Sequence, residues 1–191
     1  MDLPAALLSA DVQGVVFALA ALGLLALARK LPWRELAGGV HLNLLLGFAV
    51  CLTLIWSMKA GVKPGLNLHL LGAMAATLAL GPWKAIAALA LALCGITLNG
   101  ALEWGDWPAN FVLMVLVPVS VASGLHRLIE RLLPAHFFIF IFVTGFAGSA
   151  LTAIAQGLTA SSVLALSGAY SADFLWSDYL PFFLLLGFSE G

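Results

Sequence analysis

Five polar side chains fall within or beside long apolar stretches: His69, Asn99, Asn110, Gln156 and Glu190. A polar group away from water is costly unless it is paired, so each of them points to a contact or a site. His69 has the widest chemistry. An imidazole is a ligand for divalent transition metals, and equally a hydrogen-bond partner for a neighbouring helix. It lies in Gly65-Leu66-Asn67-Leu68-His69-Leu70-Leu71-Gly72-Ala73. At helical spacing Gly72, Ala73, Ala76 and Thr77 share its face, whereas Leu68, Leu71, Ala75 and Leu78 lie elsewhere. A face of small residues packs against protein, so His69 is expected to look into a helix bundle. A lone imidazole does not hold a divalent metal tightly, because three or four ligands are usual. Asn67, Asn99, Asn110 and Cys94 are the side chains that could supplement it, none at diagnostic spacing.

Soluble-enzyme chemistry is missing. The chain has no HExxH, GxSxG, Walker loop or CxxC, and its carboxylates are too scattered to pair. Ser123 and His126 are too close along one helix to build a hydrolytic site. No enzyme and no intrinsic cofactor are expected. Cys51 and Cys94 both lie in apolar runs and read as small buried hydrophobes rather than a disulfide pair.

The elements that position these groups are apolar runs over 12–28, 42–57, 66–80, 83–98, 110–125, 137–158 and 174–188. Most approach the roughly 20 residues that a helix needs to cross about 30 Å of hydrocarbon. Hydrophobic residues make up 63% and charged residues 9%, a membrane composition. The net charge of −1 leaves no basic surface for nucleic acid. Arg29, Lys30, Arg34, Lys84, Arg127 and Arg131 fall in alternate gaps, and only Lys59 and Lys63 occupy the others. Six cations against two place the first set of gaps in the cytoplasm and the N-terminus outside. The expected fold is an all-α membrane protein of about seven transmembrane helices in one bundle. Residues 1–191 form that single domain, with no room for an attached nucleotide-binding unit. The start is an anchor rather than a signal peptide, since its cations follow the apolar stretch. Trp33, Trp56, Trp83, Trp104, Trp107, Tyr170, Trp176 and Tyr179 mark the span ends as an interfacial belt.

Two features bear on assembly. The last run enters at Asp178, and at about 1.5 Å per residue Glu190 lies past the bilayer midplane. The chain therefore reads as truncated within its last helix; the alternative is a partial helix whose carboxylate needs a partner of its own. In the sixth run Gly145, Ser149, Ala153 and Gly157 recur every four residues, beside a row of Thr144, Gly148, Thr152 and Gln156. Such a stripe serves helix packing, either within the bundle or as a docking face for a partner subunit.

The stretch from Gly65 to Ala73, continuing through Leu78-Ala79-Leu80-Gly81-Pro82-Trp83, resembles the cobalt and nickel permeases of CbiM/NikM type. These are the substrate-binding membrane subunits of energy-coupling-factor ABC transporters. The matching features are a histidine, a glycine-rich turn of helix after it, and then Leu-Gly-Pro. Ala109-Asn110 and Glu190-Gly191 are similar to further family segments, so the resemblance covers about 65–191. It implies a substrate-capture subunit for transition-metal uptake in a bacterial inner membrane. A transmembrane coupling subunit and ATPase subunits would be its partners, and a divalent cobalt- or nickel-like ion its substrate. It implies His69 as a metal ligand; Asn67 and Asn110, from the residues that could supplement it, are the further candidates for the substrate site. The family's metal-binding members begin Met-His, whereas this chain begins Met1-Asp2-Leu3-Pro4, so only His69 carries over. The alternative function is a non-transporting membrane assembly or interaction protein.

Overall fold

The computed structural model describes residues 3–58, 60–63 and 66–191. The Met1-Asp2 start, Lys59 and Gly65 lie outside the described residues. Helix α1 (Ala10–Lys30) carries Asp11 in its first turn and Arg29 and Lys30 in its last, as the helix dipole favours. A short α2 (Trp33–Ala37) leads into α3 (Val40–Ser57). A small antiparallel hairpin, β1 (Ala60–Lys63) and β2 (Leu66–Leu68), pairs Gly61 with Asn67 and is irregular between Gly61 and Lys63. It is the exception to the helical expectation. Then come α4 (Ala73–Leu80) and α5 (Pro82–Leu98), divided by Gly81 at φ 77° with Pro82 starting the new helix.

Trp104–Leu132 is one apolar rod, containing α6 (Trp107–Asn110), wide turns over Phe111–Leu116 and α7 (Val117–Leu132). A second rod, Ile139–Leu166, ends in α8 (Gly148–Leu166). The chain finishes through α9 (Ala172–Phe174), wide turns over Leu175–Tyr179 and α10 (Leu180–Glu190). The wide turns at Phe111–Leu116 and Leu175–Tyr179 each end two residues before a proline, Pro118 and Pro181. Proline offers no amide to the preceding turn and its ring crowds the carbonyl there, so the helix loosens.

Among the described residues four helices are long and apolar enough to cross a membrane: Ala10–Lys30, Val40–Ser57, Trp104–Leu132 and Ile139–Leu166. Pro82–Leu98 is apolar but shorter, and it is the most enclosed, with Ala85, Ala88, Leu89, Ala92 and Leu93 fully buried. Large apolar side chains such as Leu22, Val50, Phe137 and Leu184 point outward, as a hydrocarbon solvent permits. Small residues let helices close on one another. An added Cβ at Gly23 would meet Leu116, and one at Gly95 would meet Thr53.

Several expectations are corrected. The run 66–80 is not one helix: it is a strand over Leu66–Leu68 and helical only from Ala73, because Gly72 turns the chain at φ 68°. The helical face assigned to His69 therefore does not exist. Cys51 is exposed on the outside of α3 rather than buried, though both cysteines are free as expected. Asn99 is exposed at the end of α5, outside the apolar interior. Trp56 and Tyr179 are core residues, 1% and 0% exposed, rather than members of an interfacial belt. Trp33, Trp104 and Trp176 do lie exposed near helix ends.

Candidate metal site

His69 lies on the extended stretch between β2 and α4 and is 5% exposed. The alternation Leu66-Asn67-Leu68-His69-Leu70 is that of an extended chain, with successive side chains on opposite sides. One neighbour is Trp56 of α3, whose ring centroid lies 5.3 Å from that of the imidazole. Trp56 Nε1 also donates to the Leu71 carbonyl at 3.2 Å, tying α3 to the same stretch. His69 Nδ1 lies 3.1 Å from the Leu70 carbonyl oxygen. A carbonyl only accepts, so the contact is a hydrogen bond when the ring carries a proton on Nδ1.

Glu190 reaches the same place from α10. Its carboxylate accepts from the backbone amides of Leu71 and Gly72, the second at 2.9 Å. Those amides lie at and just before the cap of α4, whose eight residues span about 12 Å and whose N-terminal end attracts negative charge. The Glu190 carboxylate thus has a partner, the backbone that leads into α4.

The start of the described chain is drawn into the bundle as well. Asn110 Oδ1 accepts from the Leu3 amide at 2.8 Å, and Asn110 Nδ2 donates to the Leu3 carbonyl at 2.9 Å. The same Nδ2 donates to the Asp106 carbonyl, and Asp106 Oδ1 accepts from the Ala5 amide at 2.7 Å. Gln13 Nε2 donates to the carbonyls of Ala5 and Leu8. Leu3 and Asn110 are both fully buried. Asn110 is therefore committed to backbone, as a clamp on the N-terminal segment.

Asn67 lies nearer the surface, where it lines a cavity of about 420 Å³ with Pro4, Ala6, Leu102, Glu103 and Asp106. The two asparagines consequently serve different places, Asn67 at the mouth and Asn110 beneath it against Leu3. No cluster of three or more His, Cys, Asp or Glu able to hold a metal occurs among the described residues.

The stripe on α8 and the turns before it faces neighbours inside the bundle. A Cβ at Gly157 would lie 2.3 Å from Phe183 of α10, and Ser149 and Ala153 are buried. Gly145 is half-buried, with only the Phe140 carbonyl nearby at 3.5 Å. In the adjacent row Gly148 touches Met74 of α4, while Gln156 Nε2 is buried without a hydrogen-bond partner among the described residues. The remaining histidines are apart from His69. His126 sits 3.5 Å from Glu130, and His41 and His136 are exposed.

A family model described as the cobalt uptake substrate-specific transmembrane region, CbiM, matches residues 2–191. The chain belongs to the CbiM family. The fold agrees with a crystal structure of a truncated transition metal transporter, with a TM-score of 0.78 at 21% identity. That alignment covers 100% of this chain and 92% of the other. Comparison with curated proteins gives no match. Membership of the CbiM family makes this a transmembrane component of metal uptake and not an enzyme. The apolar helices agree with a multi-pass membrane protein.

Proposed function

We propose that this CbiM-family chain captures a divalent cobalt- or nickel-like cation, as the substrate-binding subunit of an energy-coupling-factor transporter. In this reading it crosses a bacterial inner membrane seven times with its N-terminus outside. A separate transmembrane coupling subunit and ATPases supply the energy. The observation that carries the reading is the His69 imidazole, buried to 5% exposure on an extended stretch anchored by α3 and α10. A dehydrating cation needs donors already in place, and a ring fixed by its neighbours loses little entropy on binding.

The cavity at the hairpin end is then the outer vestibule, with the carboxylates of Glu103 and Asp106 drawing cations toward it. Asn67 lines the route inward, and Asn110 keeps the N-terminal segment beside it. His69 Nε2 is the ligating atom. One imidazole does not complete a coordination sphere, so the cation keeps some of its water or carries ligands of its own.

His69→Gln decides the matter, since glutamine retains hydrogen-bonding capacity without imidazole coordination. Cobalt binding to the purified chain, and cobalt uptake by cells that also express the coupling subunits, should both be lost while membrane insertion is unchanged. Wild-type binding and uptake in His69→Gln would remove His69 as the ligand and favour an interaction protein.

A further inference from the structure

Glu190 and His69 are joined through a single peptide unit. The Leu70 carbonyl and the Leu71 amide belong to one planar group, with partial double-bond character between them. Glu190 accepts from the Leu71 amide on one edge of that plane, and His69 Nδ1 lies 3.1 Å from the Leu70 carbonyl oxygen on the other. The second carboxylate oxygen holds the next amide, Gly72, so the carboxylate grips two consecutive peptides. Trp56 Nε1 holds the Leu71 carbonyl from the α3 side.

We propose that Glu190 is the positioning residue of the His69 site, acting through the 70–71 peptide to hold the imidazole as its Nδ1–H tautomer. The proposal rests on His69 being the metal ligand and adds what sets its ligating atom. An anion on the amide side polarises the peptide and makes its carbonyl a better acceptor, because hydrogen bonds in a chain strengthen one another. The stronger acceptor keeps the proton on Nδ1. In that tautomer the lone pair is on Nε2, and the ring cannot turn without losing the Nδ1 contact. Metal-binding histidines are commonly oriented by a carboxylate or a carbonyl on the far nitrogen. Here the carboxylate works through the carbonyl.

α10 also acquires a role. Gly187 sits against the Ala150 backbone, with an added Cβ 3.0 Å from it, and Gly157 accommodates Phe183. This close seating on α8 sets how far Glu190 reaches, so a contact near the end of the chain bears on a ligand 121 residues earlier (190 − 69).

The test uses the full chain in nanodiscs with 15N-labelled histidine, the His69 signals being assigned by their absence from His69→Gln. In metal-free wild type the imidazole shifts should report the Nδ1–H tautomer. In Glu190→Ala they should report a mixture, and the cobalt dissociation constant should rise about 10- to 100-fold. Glu190→Gln keeps one acceptor oxygen and the side-chain size, so it should fall between the two and serve if the alanine variant does not fold. Wild-type tautomer and affinity in whichever variant folds would overturn the proposal, and so would weaker binding with the tautomer unchanged. If His69→Gln binds cobalt normally, the ligand reading fails. The metal-free tautomer measurement still decides whether Glu190 sets the ring.

Discussion

Asn110 and Leu3, 107 residues apart, form a reciprocal pair in which one side-chain amide replaces a strand partner for one backbone unit. The oxygen takes the Leu3 amide and the nitrogen serves the Leu3 carbonyl. Both backbone groups are buried, so removing the side chain strands a donor and an acceptor at about 1–3 kcal/mol each. Asn110→Ala should therefore release the N-terminal segment. In a background with Cys51 and Cys94 replaced, a cysteine at Leu3 should resist maleimide. Adding Asn110→Ala should speed labelling by a factor of ten or more, since about 1.4 kcal/mol is tenfold. Asn110→Asp keeps the acceptor alone and should give an intermediate rate. Equal rates in all three would mean that the clamp does not hold the segment.

The two ends of the small-residue stripe should behave oppositely. At Gly157 a methyl group would lie within 2.7 Å of three Phe183 ring atoms, and overpacking of this kind costs about 1–3 kcal/mol. At Gly145 the nearest atom is 3.5 Å away, and alanine is the better helix former by about 0.5–1 kcal/mol. Thermal unfolding in detergent should fall for Gly157→Ala and hold or rise for Gly145→Ala. Phe183→Leu added to Gly157→Ala should restore part of the loss. A Gly157→Ala protein as stable as wild type would show that α10 is not seated on this part of α8.

The contrast shows which features a sequence pattern exposes. Runs 12–28, 42–57 and 83–98 fall inside α1, α3 and α5, because helix length and cation placement are properties of consecutive residues. Run 66–80 misled, because apolar composition is the same for an extended stretch and a helix once both are buried. Its signals were the period-two alternation from Leu66 to Leu70 and Gly72, the residue suited to a left-handed turn. His69 was recognisable from its residue type and neighbours. Its support was not, because Trp56 and Glu190 come from other helices: Glu190 stood out as a carboxylate in need of a partner, but only the fold shows that the partner is the backbone after His69. Asn110 was visible as a costly buried amide, but only the fold shows that Leu3 occupies it.

The proposed seven-span arrangement makes opposite predictions for the two ends of the Trp104–Leu132 rod. Glu103 just before it and Arg131 within it are both exposed, so accessibility at each depends on the side of the membrane it faces. In cysteine-free protein, Glu103→Cys should react with a membrane-impermeant maleimide added to cells whose outer membrane has been permeabilised. Arg131→Cys should react only after the inner membrane is opened. The reverse pattern would invert the bundle and put the hairpin-end cavity in the cytoplasm, which is incompatible with capture from outside.

The opposite end of the bundle carries an ion pair whose pH dependence has a definite sign. Lys84 Nζ of α5 donates to Glu35 Oε2 of α2 at 2.8 Å. That hydrogen bond, and then the lysine's charge, hold the Glu35 carboxyl below its ordinary value of 4.5, while desolvation opposes them and His41 adds slightly. A depressed carboxyl favours folding when ionised, so the contribution is complete above the ordinary carboxylate range. It is lost as pH falls from about 4.5 through the lower folded-state value. The pair lies at the surface, so its effect should be small and should shrink with salt. Glu35→Gln should unfold at a slightly lower temperature than wild type at pH 7, and the gap should close once both are measured well below pH 4.5. A gap that widens on acidification would mean that Glu35 is better accommodated protonated, and that Lys84 is held at α2 by something other than this carboxylate.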